Sequence, residues 1–329
     1  MTAHPVTDAS FSPLDDAGLL SFEGPDARAF LQGQLSNDVE ALAQGRGQWT
    51  SYNSPKGRVL ANFWLWQAPG WPGLERYDAW IAGDLASAMQ KRLSMFVLRS
   101  KVKVLDRTAD HHLFGVWGRG ANAAIGAAFG RAPVPAEAIV ADGISAQIVA
   151  LPDGRHLVSA AADVAALVAQ RLAAHAGHAD IDGWYAAGIT AGVPWITAAT
   201  SDHFVAQMIN WDALAGVSFQ KGCYPGQEVV ARMRYLGRLK ERLFRLSVFA
   251  PAPAPGTRLF SPVFGDSPCG TVVNAAPAAE HGRSEFLAVV QLTAVDAPKL
   301  TLGTPDGAAA EPLPLPYGVP DVAPPRRVG

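Results

Sequence analysis

The side chains most capable of chemistry lie in one short stretch, QKGCYPGQEVVARMRYLGRLKERLF. It contains Cys223, one of two cysteines in the chain, which follows Lys221 and precedes a run of arginines. Pro225 just inside a helix start and Gly237 beyond its end predict a short helix over about residues 226–236. Cys223 would then lie at the helix N-terminus, where the helix dipole and the Lys221 charge favour the thiolate.

A thiolate at this position has several uses that the residues alone leave open. It could act as a nucleophile, ligate a metal or accept a disulfide. The competing interpretation is that Cys223 is a small buried residue filling a tight turn, because free cysteine is often buried. In the helix itself, Glu228 and Arg232 are four residues apart, so we expect them to pair on one face.

The charge distribution also singles out this stretch. The chain has a net charge of −2, yet from Lys221 to Arg245 seven basic residues face only Glu228 and Glu241, which gives the segment a net charge of +5. Such a cluster on a mildly acidic protein indicates a site for an anion, and it argues against a surface built to coat nucleic acid. A solvated helix face explains the same pattern, and both interpretations stay open.

The whole chain has the composition of a globular protein. Its 329 residues, 49% of them hydrophobic and 17% charged, predict two or three domains. Its first residues, MTAHPVTDASF, resemble no secretory signal, and no segment approaches about 18 consecutive apolar residues. Two cysteines fit a reducing compartment, so we expect a cytoplasmic protein that does not enter membranes and acts as a monomer. The histidine pairs lack companion cysteines at metal spacing, so we expect no metal site.

The secondary-structure pattern predicts an α+β fold followed by a β-barrel. EGPDARAFLQGQ predicts a helix, and GQWTSYNSPKGRVLANFWLWQ predicts two strands around a turn near Asn53–Gly57. A similar mixture recurs after residue 110, which favours α+β modules over a doubly wound parallel sheet. We expect modules at 1–110 and 111–240, which can interleave in sequence, and a barrel with a proline-rich tail at 241–329.

The segment KGCYPGQEVVAR resembles the signature of the YgfZ-type folate-binding proteins, relatives of the glycine-cleavage T-protein. In that family a Lys-Gly-Cys-aromatic-x-Gly-Gln-Glu-x-x-x-Arg motif recurs. The residues that match it are Lys221, Gly222, Cys223, Tyr224, Gly226, Gln227, Glu228 and Arg232. Further matches are FLQGQLSND, SPKGRVLANF and AGITAGVP, so the resemblance covers most of residues 15–250.

The resemblance implies a T-protein-like three-domain ring that binds tetrahydrofolate or a derivative in a central cavity. It further implies an accessory role in iron–sulfur cluster assembly or repair and in tRNA modification. The implied partners are iron–sulfur assembly proteins or client enzymes, and any contact with tRNA is expected to be indirect. Within this scheme Cys223 is the candidate reactive thiol, supported by Lys221. The candidate folate contacts are Asn62, Tyr52, Trp195 and Gln207.

One departure from the T-protein pattern bears on the reaction. Where T-proteins carry an Asp-Asp pair after the corresponding turn, this chain has Ala61 and Asn62. Asparagine can position a folate by hydrogen bonds, but it cannot serve as a general acid or base. This argues against the alternative function, a tetrahydrofolate-dependent aminomethyl or one-carbon transferase. A third function, a tRNA-binding module using the basic residues of 232–245, ranks lowest because the chain is acidic overall.

Overall fold

The computed structural model describes residues 8–69, 75–235, 239–295 and 299–320. The strands are β1 (Ser10–Pro13), β2 (Ala17–Glu23), β3 (Gly47–Asn53), β4 (Val59–Gln67), β5 (Arg76–Ala82), β6 (Lys103–Asp106), β7 (His111–Trp117), β8 (Ala138–Val140), β9 (Ala146–Ala150), β10 (His156–Ala161), β11 (Gly177–His178), β12 (Glu241–Val248), β13 (Arg258–Phe260), β14 (Pro268–Pro277), β15 (Ser284–Gln291), β16 (Leu300–Leu302) and β17 (Ala309–Leu313). The α-helices are α1 (Ala27–Gln34), α2 (Gly83–Ser94), α3 (Ala121–Phe129), α4 (Ala165–Ala173), α5 (Asp182–Thr190), α6 (Gln227–Tyr235) and α7 (Leu292–Val295).

The chain divides into two compact units that are interleaved in sequence. The first comprises Met1–Gln34, Asp38–Trp49 and Phe63–Ala187, and the second comprises Leu35–Asn37, Thr50–Asn62 and Gly188–Gly329. Both divisions near residues 50 and 62 fall inside strands, β3 and β4 respectively. The second unit therefore draws two short segments from the N-terminal part of the sequence. The three domains expected from the sequence, of which the first two could interleave, stay a prediction.

The sheet that dominates the first unit has six strands in the order β11-β1-β7-β10-β9-β8. Its pairings are antiparallel except for β1 with β11. Helices α3 and α4 bury alanine-rich faces in the same core, where Ile125 and Val168 pack with Val116, Ile148 and Val158. Small alanine side chains let these helices approach the strands closely.

The second sheet orders its strands β3-β4-β5-β2-β6. Strand β4 is buried at every position from Val59 to Trp66, and β5 is buried throughout. Such continuous burial explains why β4 consists almost wholly of apolar residues and shows no alternation, while β5 buries Arg76 and Asp78 as an ion pair. Together the two sheets confirm the predicted α+β class, because no parallel sheet runs through the described part of residues 45–160.

The C-terminal strands close into a barrel in the order β12-β15-β14-β13-β16-β17, with β12 also paired to β17. Its core contains Leu246, Leu259, Val272 and Phe286, together with Cys269. The predicted C-terminal β-barrel is thus confirmed. In the part of the chain that the structure describes, no helix has the length and apolarity required to span a membrane.

Local signals located most elements closely. The helix predicted from EGPDARAFLQGQ is α1, and the two strands predicted around Asn53–Gly57 are β3 and β4. The helix predicted over about 226–236 is α6, which runs from Gln227 to Tyr235. Gly237, the predicted helix stop, lies outside the described residues.

Candidate functional site: the motif loop

Lys221 anchors the segment 221–226, which we call the motif loop. Its ammonium donates hydrogen bonds to the carbonyl oxygens of Leu35 at 2.5 Å and Asn37 at 3.0 Å. The side chain is buried and its Nζ also lies 5.1 Å from the centre of the Tyr224 ring. Because hydrogen bonds from a charged donor are the stronger kind, these contacts fix the loop to the stretch FLQGQLSND.

Two glycines let the motif loop meet the turn SPKGR at very short range. Gly226 has a φ of +78°, and a Cβ placed on it would lie 2.5 Å from the Ser54 carbonyl oxygen. Gly57 has a φ of +73°, and its Cβ would lie 2.7 Å from the Cβ of Val229. Both positions therefore require glycine, for the left-handed backbone and for the close approach. This contact explains why both motifs contain a glycine at these points.

Hydrogen bonds hold helix α6 to other residues of the second unit. The amide nitrogen of Gln207 donates to the carbonyl oxygen of Val230 at 2.6 Å, and both residues are buried. Gln227, the first residue of the helix, donates from its side chain to the Lys221 carbonyl oxygen at 3.4 Å. The helix that follows the cysteine is thus held at its start and along its buried face.

Cys223 itself is exposed. Gly222 is also exposed, and a Cβ placed on it would meet nothing within 4 Å. Tyr224 on the other side is buried, and burial raises the pKa of its hydroxyl to about 12. The loop therefore presents its thiol to solvent between two buried, anchored residues. The expected reactive role of the thiol stays a prediction.

Several of the basic residues that cluster in the sequence have partners of their own in the described part of the structure. Lys221 is bonded to carbonyl oxygens, and Arg242 is buried in a bidentate pair with Asp212 at 2.7 and 3.1 Å. Arg245 pairs with Glu285. Arg234 is exposed and lies over the Phe219 ring at 4.1 Å. Two of these charges, those of Arg242 and Arg245, are therefore paired with acids, and the Lys221 ammonium is bonded to neutral carbonyl oxygens.

The pair expected between Glu228 and Arg232 is a second difference from the sequence-based expectation. Both side chains are exposed on α6, and among the described residues no ion pair joins them. Exposed pairs of this kind gain little, because solvent screening weakens the attraction until it barely offsets the entropy cost of holding two long side chains together. This prediction was wrong.

The four expected folate contacts all lie in the second unit and all are buried. Asn62 donates to the Pro194 carbonyl oxygen at 2.8 Å and accepts from the Ile196 backbone N–H at 2.9 Å. It thereby ties β4 to the stretch AGITAGVP and the residues after it. The burial of Tyr52, Trp195 and Gln207 is equally complete, with 1%, 6% and 1% of their surface exposed. Their role in folate binding stays a prediction.

Proteins of similar sequence share one name. The chain is 33% identical over 236 residues to the tRNA-modifying protein YgfZ of Enterobacter sp. (strain 638). The matched region covers 71% of this chain and 70% of that protein. It is 34% identical over 249 residues to the protein of the same name from Yersinia pestis (strain Pestoides F), covering 75% and 73%. This chain belongs to the YgfZ family. No family model matches it.

The fold of this YgfZ-family chain is that of the glycine-cleavage aminomethyltransferases. Aminomethyltransferase T from Bartonella henselae superposes with a TM-score of 0.72, covering 93% of this chain and 85% of that chain. The sequence identity is 12%, so this likeness shows the fold alone. It confirms the fold class expected from the motif.

Among the buried side-chain atoms of the described second unit that have no hydrogen-bond partner, two belong to amide groups and were not foreseen from the sequence. They are the amide nitrogen of Asn53 and the amide oxygen of Gln207. Buried polar atoms are nearly always satisfied, so unsatisfied ones indicate a role for a missing partner. Only the position of Asn53 at the end of a buried strand, beside the SPKGR turn, could have drawn attention to it.

Proposed function

We propose that this YgfZ-family protein binds a reduced folate and supports the enzymes that modify tRNA by assisting the assembly or repair of their iron–sulfur clusters. The Cys223 thiol is the group that acts. The observation that carries the proposal is an exposed cysteine on a loop that the buried side chains of Lys221 and Tyr224 hold in place. A cysteine that only filled a turn would not require an anchored loop that exposes its thiol.

The residues of the second unit fit a folate. A pterin ring offers hydrogen-bond donors and acceptors along one edge, and the Asn53 amide nitrogen and Gln207 amide oxygen supply an unsatisfied donor and acceptor. Tyr52, which precedes Asn53 in the sequence, and Trp195, in the same unit, add aromatic surface. When bound, a reduced folate supplies an electron-rich ring able to carry a one-carbon unit.

The transferase alternative lacks a proton-transferring group at the expected position. Ala61 is apolar, and both ends of the Asn62 amide already bond the backbone of Pro194 and Ile196. The neutral amide cannot exchange a proton with a folate nitrogen at ordinary pH. We therefore assign the second unit to folate binding without aminomethyl transfer.

The cellular test uses Cys223→Ser with Cys269→Ser as the matched control. In a strain that lacks its own YgfZ-family protein, the thiomethylated tRNA nucleosides are measured by mass spectrometry after complementation. We expect the unaltered protein and Cys269→Ser to restore the modification and Cys223→Ser to leave it near the level of the deletion strain. Full restoration by Cys223→Ser would show that the thiol has no part in the function.

Folate binding is tested separately by calorimetry with tetrahydrofolate under anaerobic conditions. Asn53→Ala and Gln207→Ala should each weaken binding about tenfold, since each removes one hydrogen bond in a buried site. Cys223→Ser should bind normally. No heat of binding at about 1 mM folate, with the protein folded, would remove the folate from the proposal.

A further inference from the structure

A cavity of about 450 Å³ lies in the second unit, on the outer face of the barrel. Its polar lining comes from Arg58, His203, Glu241, Arg258 and Thr271. Among the described residues, neither the motif loop nor the four expected folate contacts line it. The cavity is thus separate from the motif loop and from the expected folate contacts.

The pairing of β13 with β14 places the polar groups on the outer face. Arg258 is the register partner of Thr271. The residues next to them in sequence, Leu259 and Val272, contribute to the barrel core. Because side chains alternate across a strand, Arg258 and Thr271 face away from that core and toward the cavity.

Both arginines of the cavity are held by neutral groups. The Arg258 guanidinium donates to the Thr271 hydroxyl at 2.6 Å. The Arg58 guanidinium donates to the carbonyl oxygens of Asp202 at 3.3 Å and His203 at 2.8 Å. These contacts orient the side chains without neutralising them.

Neither guanidinium has an anionic partner in the part of the chain that the structure describes, where no carboxylate oxygen lies within 4.0 Å of Arg58 or Arg258. This differs from Arg242 and Arg245 of the same unit, which both pair with acids. The one acidic side chain in the described lining is Glu241, which accepts a hydrogen bond from Gln291. The lining therefore carries one net positive charge before His203 is counted, and the imidazole adds a further hydrogen-bonding group.

We propose that this cavity binds a small oxyanion, the phosphate or carboxylate group of a small molecule, through Arg58 and Arg258. Guanidinium groups match oxyanions in shape and charge, and they bind them best when no protein carboxylate competes. A volume of about 450 Å³ is in the range that holds small metabolites. The Thr271 hydroxyl and the His203 ring are placed to donate further hydrogen bonds.

The test is calorimetry at low ionic strength with two probes, pyrophosphate for the phosphate class and citrate for the carboxylate class. We expect at least one probe to bind, and added salt to weaken it. Arg58→Gln and Arg258→Gln should each weaken binding about tenfold or more. Arg99→Gln, an exposed arginine that does not line the cavity, should change it less than twofold.

A variant that binds the probes more tightly provides a test whose result a folding defect cannot mimic. Glu241→Gln removes the acidic group from the lining and can keep the contact with Gln291, so it should tighten binding about two- to fivefold. Cys223→Ser should bind both probes like the unaltered protein, which separates this site from the proposed thiol function. No binding of either probe at about 10 mM would overturn the proposal. Arginine variants that bind like Arg99→Gln would do the same.

Discussion

The two cysteines of this protein occupy opposite environments within one unit. Cys223 lies exposed on the motif loop, whereas Cys269 lies in the barrel core with 2% of its surface exposed. Both are free thiols, and burial raises the pKa of the Cys269 thiol. The core cysteine is packed among Leu259, Val272 and Phe286, while the loop cysteine has an open glycine as its neighbour.

This difference shows that anchoring and exposure are separate properties of a site. The barrel holds Cys269 in its core, which also leaves little of it exposed to solvent. The motif loop holds Cys223 through its neighbours, because Lys221 and Tyr224 are buried and Gly226 makes the close contact. A thiol can therefore be fixed in position without being covered, which is the arrangement that chemistry at a surface requires.

The largest expected effect is on thiol alkylation in the folded protein. Cys223 should react with iodoacetamide at least about a hundredfold faster than Cys269 at neutral pH, because Cys269 needs local opening and carries a raised pKa. The reactivity of Cys269 should rise only at a higher pH than that of an ordinary thiol, because its pKa is raised. Peptide mass spectrometry over time measures both rates in one sample.

Unfolding provides the control for this comparison. In denaturant the two rates should converge to within about threefold, because both thiols then have similar surroundings. Equal rates in the folded protein would contradict the contrast between the two sites.

The second prediction compares two glycines of the motif loop. Gly226→Ala should lower the free energy of unfolding by about 2–4 kcal/mol, since it forces a left-handed backbone and a contact with the Ser54 carbonyl. Gly222→Ala, which meets open space, should change it by less than about 0.5 kcal/mol. Urea unfolding followed by circular dichroism distinguishes the two. Similar losses in both variants would mean that the loop is not anchored at Gly226.

A third prediction tests the lysine that anchors the loop. Lys221→Met should cost about 1.5–3 kcal/mol of stability, because it removes the charged donor shared by the Leu35 and Asn37 carbonyls. Lys240→Met, at an exposed position, should be nearly neutral. The same urea titrations measure both changes. If Lys221→Met were as stable as Lys240→Met, the two hydrogen bonds would not hold the loop.

The smallest expected effect concerns the cysteines themselves. Cys269→Ser should cost about 1–2 kcal/mol, because it places a hydroxyl in an apolar core, whereas Cys223→Ser should cost less than about 0.5 kcal/mol. Thermal unfolding of the two variants provides the comparison. A larger loss for Cys223→Ser would assign that thiol a packing role.

The sequence by itself determined the elements and the motif. Caps, turn residues and apolar runs act over a few residues, so α1, the β3–β4 hairpin, α6 and the barrel strands were predictable from local pattern. The long motif around Cys223 was sufficient to indicate the family. Buried strands such as β4, by contrast, show no alternation that would reveal their partners.

Only the tertiary structure decided which charges are free. The ammonium of Lys221, which is close to Cys223 in the sequence, donates hydrogen bonds to carbonyl oxygens 186 and 184 residues away. Arg58 and Arg258 lie far apart in the chain, yet they line one cavity, and among the described residues no acid pairs with either. The reason is physical: charge pairing and burial depend on contacts between distant segments, and no local pattern of residue types encodes which segments will meet.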